Sequence, residues 1–223
     1  RVLATITPPA GGSAHVFRLL VDEAANVVYV SLPETSSRIW MIDGATNTLR
    51  GEITGVGGRS TGLALDAEAR RLYTCSIASS EIIEIDLGTR QILRRFPSGG
   101  VGTTHLALDA RTGRLFASHQ RSGDVTAIDL RTGAVAKVIP TGAGALGLAL
   151  DASRDRLYVA NREADTVSVI DVRTLAVVAT LRGGTLPNTV AVDSRTGDAY
   201  VTFKSRAGSP DRVARITTPT RRR

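Results

Sequence analysis

The sequence predicts an all-β fold of repeated four-stranded units, and three observations carry that prediction. The first is a series of five matching segments, LLVDEAANVVYV, LALDAEARRLYT, LALDARTGRLFA, LALDASRDRLYV and VAVDSRTGDAYV. Their aspartates, Asp22, Asp66, Asp109, Asp151 and Asp193, lie 44, 43, 42 and 42 residues apart. An aromatic follows seven places later in each, at Tyr29, Tyr73, Phe116, Tyr158 and Tyr200. The second is an independent series, MIDG, EIDL, AIDL and VIDV, with Asp43, Asp86, Asp129 and Asp171 spaced 43, 43 and 42 residues apart. The third is that Val, Ile, Leu, Thr and Tyr gather into four short runs per period, with Gly, Asp, Asn and Ser between them, and no segment sustains a helical period. A period of about 40–45 residues holding four strands is the pattern of a β-propeller blade.

Taken along the chain, the opening RVLATITPPAGG (1–12) matches a fourth strand such as AVVATLRGG and reads as the last strand of a preceding blade. Repeats follow at about 14–56, 57–100, 101–143, 144–185 and 186–217, and 218–223 form a basic tail. All belong to a single propeller domain. The last repeat reaches three strands only, ending near DRVARI. In the fourth repeat the strands fall at about 146–150, 156–160, 166–170 and 176–181. Inner strands, sandwiched between neighbouring blades, are expected to be apolar on both faces, as LALD and LYVA are; DTVSVID alternates more, as a strand nearer the rim does. The recurring aspartates read as turn formers, since an Asp carboxylate can accept backbone N–H groups two residues on. Four places after each Asp the turn needs positive φ, which Gly113, Gly133 and Gly197 supply, with Asn26 and Asn47 as the next-best residues.

With 223 residues, 42% of them hydrophobic and 22% charged, the chain has the composition of an ordered domain large enough to bury a core. No apolar run is long enough to cross a bilayer as a helix. Cys75 is alone, which excludes an internal disulfide and a paired-cysteine metal site. The net charge is +7, and all basic residues except Lys137 and Lys204 are arginine. Three of those charges sit in Arg221–Arg223, so the body carries +4. That balance permits nucleic acid, anionic lipid or acidic ligands without selecting among them.

LYVANREADTVSVID (157–171) resembles the YVTN-type β-propeller repeat, and the resemblance covers essentially the whole chain. SSRIWMIDG, STGLALDAEARRLYT and YVTFKSRAGSPDRVARI are similar to the C-terminal part of YncE-like proteins. The resemblance implies a periplasmic or secreted protein and a seven-bladed parent, of which five repeats are present. The alternative is a closed five-bladed ring in which Val2–Thr7 pairs with Arg212–Ile216.

In a propeller, the blade-to-blade links and the second-to-third-strand loops emerge at one end, where binding sites commonly lie. Here those segments are rich in glycine and small residues, and no phosphate-loop pattern is present. Four residues before each first-series Asp stand Arg18, Gly62, His105, Gly147 and Thr189, among which Arg18 and His105 differ from the small residues. Hairpin pairing is expected to bring His119 close to His105. Together with Arg59, Asn161, Arg162 and Lys204, these are the candidate ligand-binding residues. No catalytic residues, metal ligands or cofactor motifs are identified, and haem attachment is absent. Arg50, Arg94, Arg95 and Lys137 fall on outer strands, where basic residues guard exposed sheet edges. Trp40 is expected to pack.

The leading functional expectation is a non-enzymatic binding or scaffold module outside the cytoplasm, presenting its loop face to an unidentified ligand or protein. The alternatives are nucleic-acid or polyanion binding through the arginine surplus, and a metal-dependent, lactonase-like hydrolase. Enzymatic activity is left open by the residues alone.

Overall fold

A computed structural model describes residues 1–7, 15–206 and 210–217. The chain divides into two compact units, residues 1–97 and 98–223. The basic run Arg221–Arg223 and most of the opening TPPAGGSAH link lie outside the described residues, and Arg1–Thr7 carry no strand.

The first unit holds two antiparallel sheets. One contains β1 (Arg18–Asp22), β2 (Val27–Leu32), β3 (Arg38–Asp43) and β4 (Thr48–Ile53); the other contains β5 (Ser60–Asp66), β6 (Arg71–Ser76), β7 (Glu81–Asp86) and β8 (Ile92–Pro97). The second unit begins with β9 (Thr103–Asp109), β10 (Arg114–His119), β11 (Asp124–Asp129) and β12 (Ala134–Pro140). It continues with β13 (Ala145–Asp151), β14 (Arg156–Asn161), β15 (Thr166–Asp171) and β16 (Ala176–Leu181), and ends with β17 (Pro187–Val192), β18 (Ala199–Phe203) and β19 (Arg212–Ile216). Every sheet is a meander in chain order, four of four strands and the last of three. The chain is thus all-β and built of propeller blades, with the strands of the fourth repeat within one residue of their expected bounds.

A meander gives each sheet two distinct ends. The turns joining its first strand to its second and its third to its fourth lie at one, the turn end. The loop joining its second strand to its third and the links between sheets lie at the other, the loop end.

The turn end is built by aspartate. Asp43 Oδ1 accepts the N–H groups of Ala45 and Thr46, each at 2.9 Å; Asp86 does the same for Gly88 and Thr89, and Asp171 for Arg173 and Thr174. These bonds hold the three carboxyls below the usual carboxylate range, against some desolvation. In the turns after the first strand, Asp22 accepts from Ala25 N–H and Asp66 from Ala69 N–H. Positive φ occurs four places after every one of the nine aspartates. Gly113, Gly133, Gly197, Asn26 and Asn47 take it as expected, but so do Arg70, Arg90, Asp155 and Leu175.

Burial follows the strand order. The middle strands are covered on both faces, as in RLFASH of β10, whereas the outer β16 is mostly exposed. In the first unit Tyr29, Ile39 and Met41 pack against Leu63, Leu72 and Ile83 of the next sheet. In the second, Phe116 and Val125 meet Leu148 and Leu157, and Tyr158 and Val169 meet Val190 and Val201. Each such side chain contributes about 1.5–3 kcal/mol by leaving water. Buried serines tie neighbouring sheets directly: Ser31 Oγ donates to Thr61 O and Ser118 Oγ to Leu146 O, both at 2.6 Å. Trp40 does pack, 3% exposed, with its indole N–H on Glu52 at 2.8 Å. The outer-strand arginines are partly engaged as well. Arg94 pairs with the buried Glu84 and lies 5.1 Å over the Phe96 ring, and Arg95 reaches the Gly55 carbonyl.

Candidate functional site

At the loop end of the second unit, two side chains occupy the same place at the close of their sheets' second strands: His119 in β10 and Asn161 in β14. Both are fully buried. His119 Nδ1 lies 3.0 Å from Thr103 Oγ1, and Nε2 lies 3.0 Å from Thr126 Oγ1. Thr126 gives its hydroxyl proton to Ser98 O at 2.6 Å, so it accepts from His119 Nε2–H. Nδ1 is then the acceptor for Thr103, which in turn accepts from Ser98 Oγ at 2.7 Å. The chain of donors starts and finishes on Ser98 and needs a neutral imidazole. Desolvation lowers the His119 pKa in agreement, opposed by Asp124, whose Oδ1 is 3.9 Å from Nε2.

Asn161 solves the same problem with an amide. Its Nδ2 donates to Ser168 Oγ at 2.9 Å and Thr166 Oγ1 at 3.1 Å, with Thr141 O sharing those hydrogens at 3.3 Å, while Oδ1 is buried without a hydrogen-bond partner among the described residues. Each node fastens the end of the second strand to the third strand and to the incoming link. The sequence reading marked both residues for ligand contact; the structure places them beneath the surface, with ring and amide nitrogens committed inside their own sheets.

His105 is buried across from Ser118, whereas His119 is across from Thr103, with a register shift between Ser118 and His119. The expected pairing of the two histidines does not lead to a shared ligand position, and no group of three His, Cys, Asp or Glu able to hold a metal is found among the described residues. Cys75 is also buried, and desolvation pushes its thiol up to about 11.

The remaining candidates are more open. Arg18 is half-buried at the start of β1, and burial lowers its guanidinium pKa. Arg59 is exposed with φ of 53°, its N–H on Glu34 O. Arg162 donates to Asn188 Oδ1 at 2.6 Å, joining the loop after β14 to β17. Lys204 faces Asp211 at 3.7 Å and is mostly exposed. Nearby, Asp165 accepts Leu186 N–H at 2.8 Å and Arg206 at 3.0 Å. The tight approach of β13 to β17 depends on Gly147, where a Cβ would meet Asn188 O at 2.5 Å.

Directly above the two nodes lies a cleft of about 460 Å³. Arg121, two residues beyond His119, and Glu163, two beyond Asn161, both line it. The rest of the lining is small, Ser122–Gly123 from one loop and Pro140–Gly144 from the close of β12 and the link between the sheets. Sequence reading flagged the glycines of this end but not the Arg121–Glu163 pairing, which follows only once the nodes are seen to be equivalent.

The comparisons with known proteins agree with this architecture. A 68-residue stretch is 47% identical to YncE of Escherichia coli (strain K12), of Salmonella typhi and of Salmonella typhimurium, covering 30% of this chain and 19% of each relative. The match thus spans less than a fifth of those relatives' length. A hydrazine synthase chain of Kuenenia stuttgartiensis superimposes with a TM-score of 0.80 over 95% of this chain and 67% of its own, at 15% identity, a likeness of fold. The family model for YNCE-like beta-propellers matches residues 37–216, so the chain belongs to the YncE-like β-propeller family.

Proposed function

We propose that the protein is a non-enzymatic, extracytoplasmic binding module whose second unit offers the Arg121–Glu163 cleft to a polar ligand. The observation that carries this reading is the pair of buried nodes below the cleft. His119 and Asn161 fasten the strand ends that lead into Arg121 and Glu163, so two opposite charges line the cleft on held backbone. Gly123 N–H and O, Gly142 N–H and Gly144 O are bonded within the protein, which fixes the backbone of the cleft and leaves the Arg121 and Glu163 side chains to meet a ligand. A zwitterion, with a carboxylate for Arg121 and an ammonium for Glu163, complements the arrangement; a peptide terminus or an amino-acid-like ligand has that chemistry. Family membership in a group of bacterial propeller proteins is compatible with the periplasmic location.

The test uses alanyl-glutamate as a zwitterionic probe in amide chemical-shift titrations of the full chain. Shifts confined to residues 121–123, 140–144 and 163, lost in the Arg121→Ala/Glu163→Ala variant, are expected. Shifts elsewhere, or shifts unchanged in that variant, would refute the reading. Incubation with a δ-lactone and added Ca²⁺ or Zn²⁺ checks the hydrolase alternative, and turnover above the metal-only background would establish it instead.

A further inference from the structure

The turn end of the first unit contains a cavity of about 370 Å³ that has a different character. Its floor is apolar, formed by Val27, Tyr29 and Met41, and three guanidinium groups, from Arg50, Arg70 and Arg90, line it. Each arginine reaches the cavity from an irregular backbone position. Arg70 and Arg90 occupy the fourth place of an aspartate turn with φ of 56° and 62°, where other sheets carry Asn26, Gly113, Asp155 and Gly197, or Asn47, Gly133 and Leu175. Arg50 is the extra residue of a β-bulge: Met41 pairs with Gly51 and Ile42 with Leu49, leaving Arg50 between them. Bulges re-aim side chains. The same bulge in the other four-stranded sheets leaves out Leu93, Ala136 and Val178, none of them charged.

The local carboxylates do not neutralise this trio. Asp86 binds Arg71 at 2.5 Å and its own turn N–H groups; Asp22 accepts Ala25 N–H; Asp43, which Arg50 also influences, holds Ala45 and Thr46. Beside them Arg71, and at the turn ends of other sheets Arg111, Arg131, Arg154, Arg156 and Arg195, lie within ion-pair distance of an aspartate. Among the described residues Arg50, Arg70 and Arg90 make no such pair. All three act on the same buried phenol, that of Tyr29. Burial and Asp22 raise its pKa, and Arg70, Arg50 and Arg90 pull it back. The phenol therefore stays protonated near neutral pH and is a donor beside three cations.

The geometry points to a binding site for a small organic anion, a phosphomonoester or a similar dianion carried on an apolar stem. Planar guanidinium groups match phosphate and carboxylate oxygens in pairs of parallel hydrogen bonds. The apolar floor accepts the stem. Arg70 and Arg90, carried at turn positions with positive φ, and Arg50, placed by a bulge, bring to one cavity three charges that have no ion-pair partner among the described residues. The site is in the other unit and at the other end of its sheets from the Arg121–Glu163 cleft, so it stands or falls separately.

Calorimetric titration of the full chain with phenyl phosphate, inorganic phosphate and phenol tests this. Phenyl phosphate is expected to bind with a Kd of about 1 mM or tighter, inorganic phosphate about tenfold more weakly, and phenol not measurably. The Arg70→Gln/Arg90→Gln variant is expected to weaken phenyl phosphate binding at least about tenfold, whereas Arg173→Gln, on an exposed turn, leaves it within about twofold. Urea midpoints of each variant separate lost binding from lost folding. Unchanged affinity in Arg70→Gln/Arg90→Gln, equal binding of phenol, or no binding of phenyl phosphate would overturn the proposal. Tighter binding of oligothymidylate with the same dependence on Arg70 and Arg90 would overturn it too, assigning the cavity to a polymer's phosphates.

Discussion

The turn end and the loop end of these sheets meet the same requirement in opposite ways. Both must satisfy backbone groups where the chain reverses. At the turn end one residue type recurs in all nine turns, an aspartate whose carboxylate accepts a following backbone N–H in eight of them, Asp109 holding the Arg111 side chain instead. At the loop end the work falls to buried residues that differ from sheet to sheet, His119 in one and Asn161 in the next. The difference teaches that local chemistry is enough where one carboxylate reaches N–H groups two or three residues on. A node at the loop end draws its partners from several segments, so its solution depends on what those segments offer. A turn of the first kind can therefore be repeated by copying one residue, whereas a node must be solved as a set.

The largest expected effect tests that claim at the node. His119→Ala leaves Thr103 and Thr126 without their ring partner and opens a cavity, and should cost about 3–4 kcal/mol in urea unfolding. His119→Asn, which imports the neighbouring sheet's solution, should cost about half as much, because the amide is shorter and reaches fewer of those partners. Equal losses for the two would break the equivalence drawn between His119 and Asn161.

The turn end gives a smaller effect of opposite sign. Arg70→Gly replaces a side chain held at positive φ by the residue that favours it and should stabilise the chain by about 0.5–1 kcal/mol, measured the same way. The same variant should bind phenyl phosphate more weakly. A gain in stability accompanied by a loss of binding would show that Arg70 is kept where it is for its charge. Destabilisation would mean that Arg70 contributes packing that the comparison overlooks.

The finest distinction is in pH dependence. His119 has a folded pKa below the ordinary 6.5, so between those two values the unfolded chain binds the extra proton. Stability is therefore complete above about 6.5 and falls as the pH drops toward the folded value. Asp43, Asp86, Asp171 and Asp193 also have lowered pKa values, from an ordinary 3.8, and their contribution is lost only at more acidic pH. Two separated steps in a pH–stability profile are expected, with the upper one missing in His119→Asn. A single step below pH 4 would remove His119 from the account.

Much of this organisation can be read from the residues in order. The Asp series, the aromatic seven places on and the alternation of apolar runs with turn residues specify strands and turns, because each of those signals acts over a few residues. Gly113 and Asn26 announce positive φ in the same local way. Arg70, Arg90, Asp155 and Leu175 do not, since nothing in an arginine or a leucine requires that conformation; only their place in the repeat reveals it. His119 reads from the sequence as an open histidine near a loop. Its burial depends on Ser98, Thr103 and Thr126 arriving from a link and two other strands, which no local pattern encodes. The cavity of Arg50, Arg70 and Arg90 was likewise out of reach, since Arg50 on its own resembles an ordinary guard of a sheet edge.

The backbone of Gly100 lies so close to the His119 ring that no Cβ could be added there without displacing the imidazole. The link from Ser98 to Gly102 is also one residue longer than its counterpart from Thr141 to Gly144, which covers the smaller Asn161. That single residue accounts for the spacing of 43 from Asp66 to Asp109 against 42 from Asp109 to Asp151. In these two sheets the length of the link goes with the size of the side chain beneath it; the six-residue link 54–59 ahead of β5, by contrast, precedes a sheet whose second strand ends on the small Ser76. Transplanting a blade between relatives would have to carry the strand-end residue and its covering link together, as one heritable module.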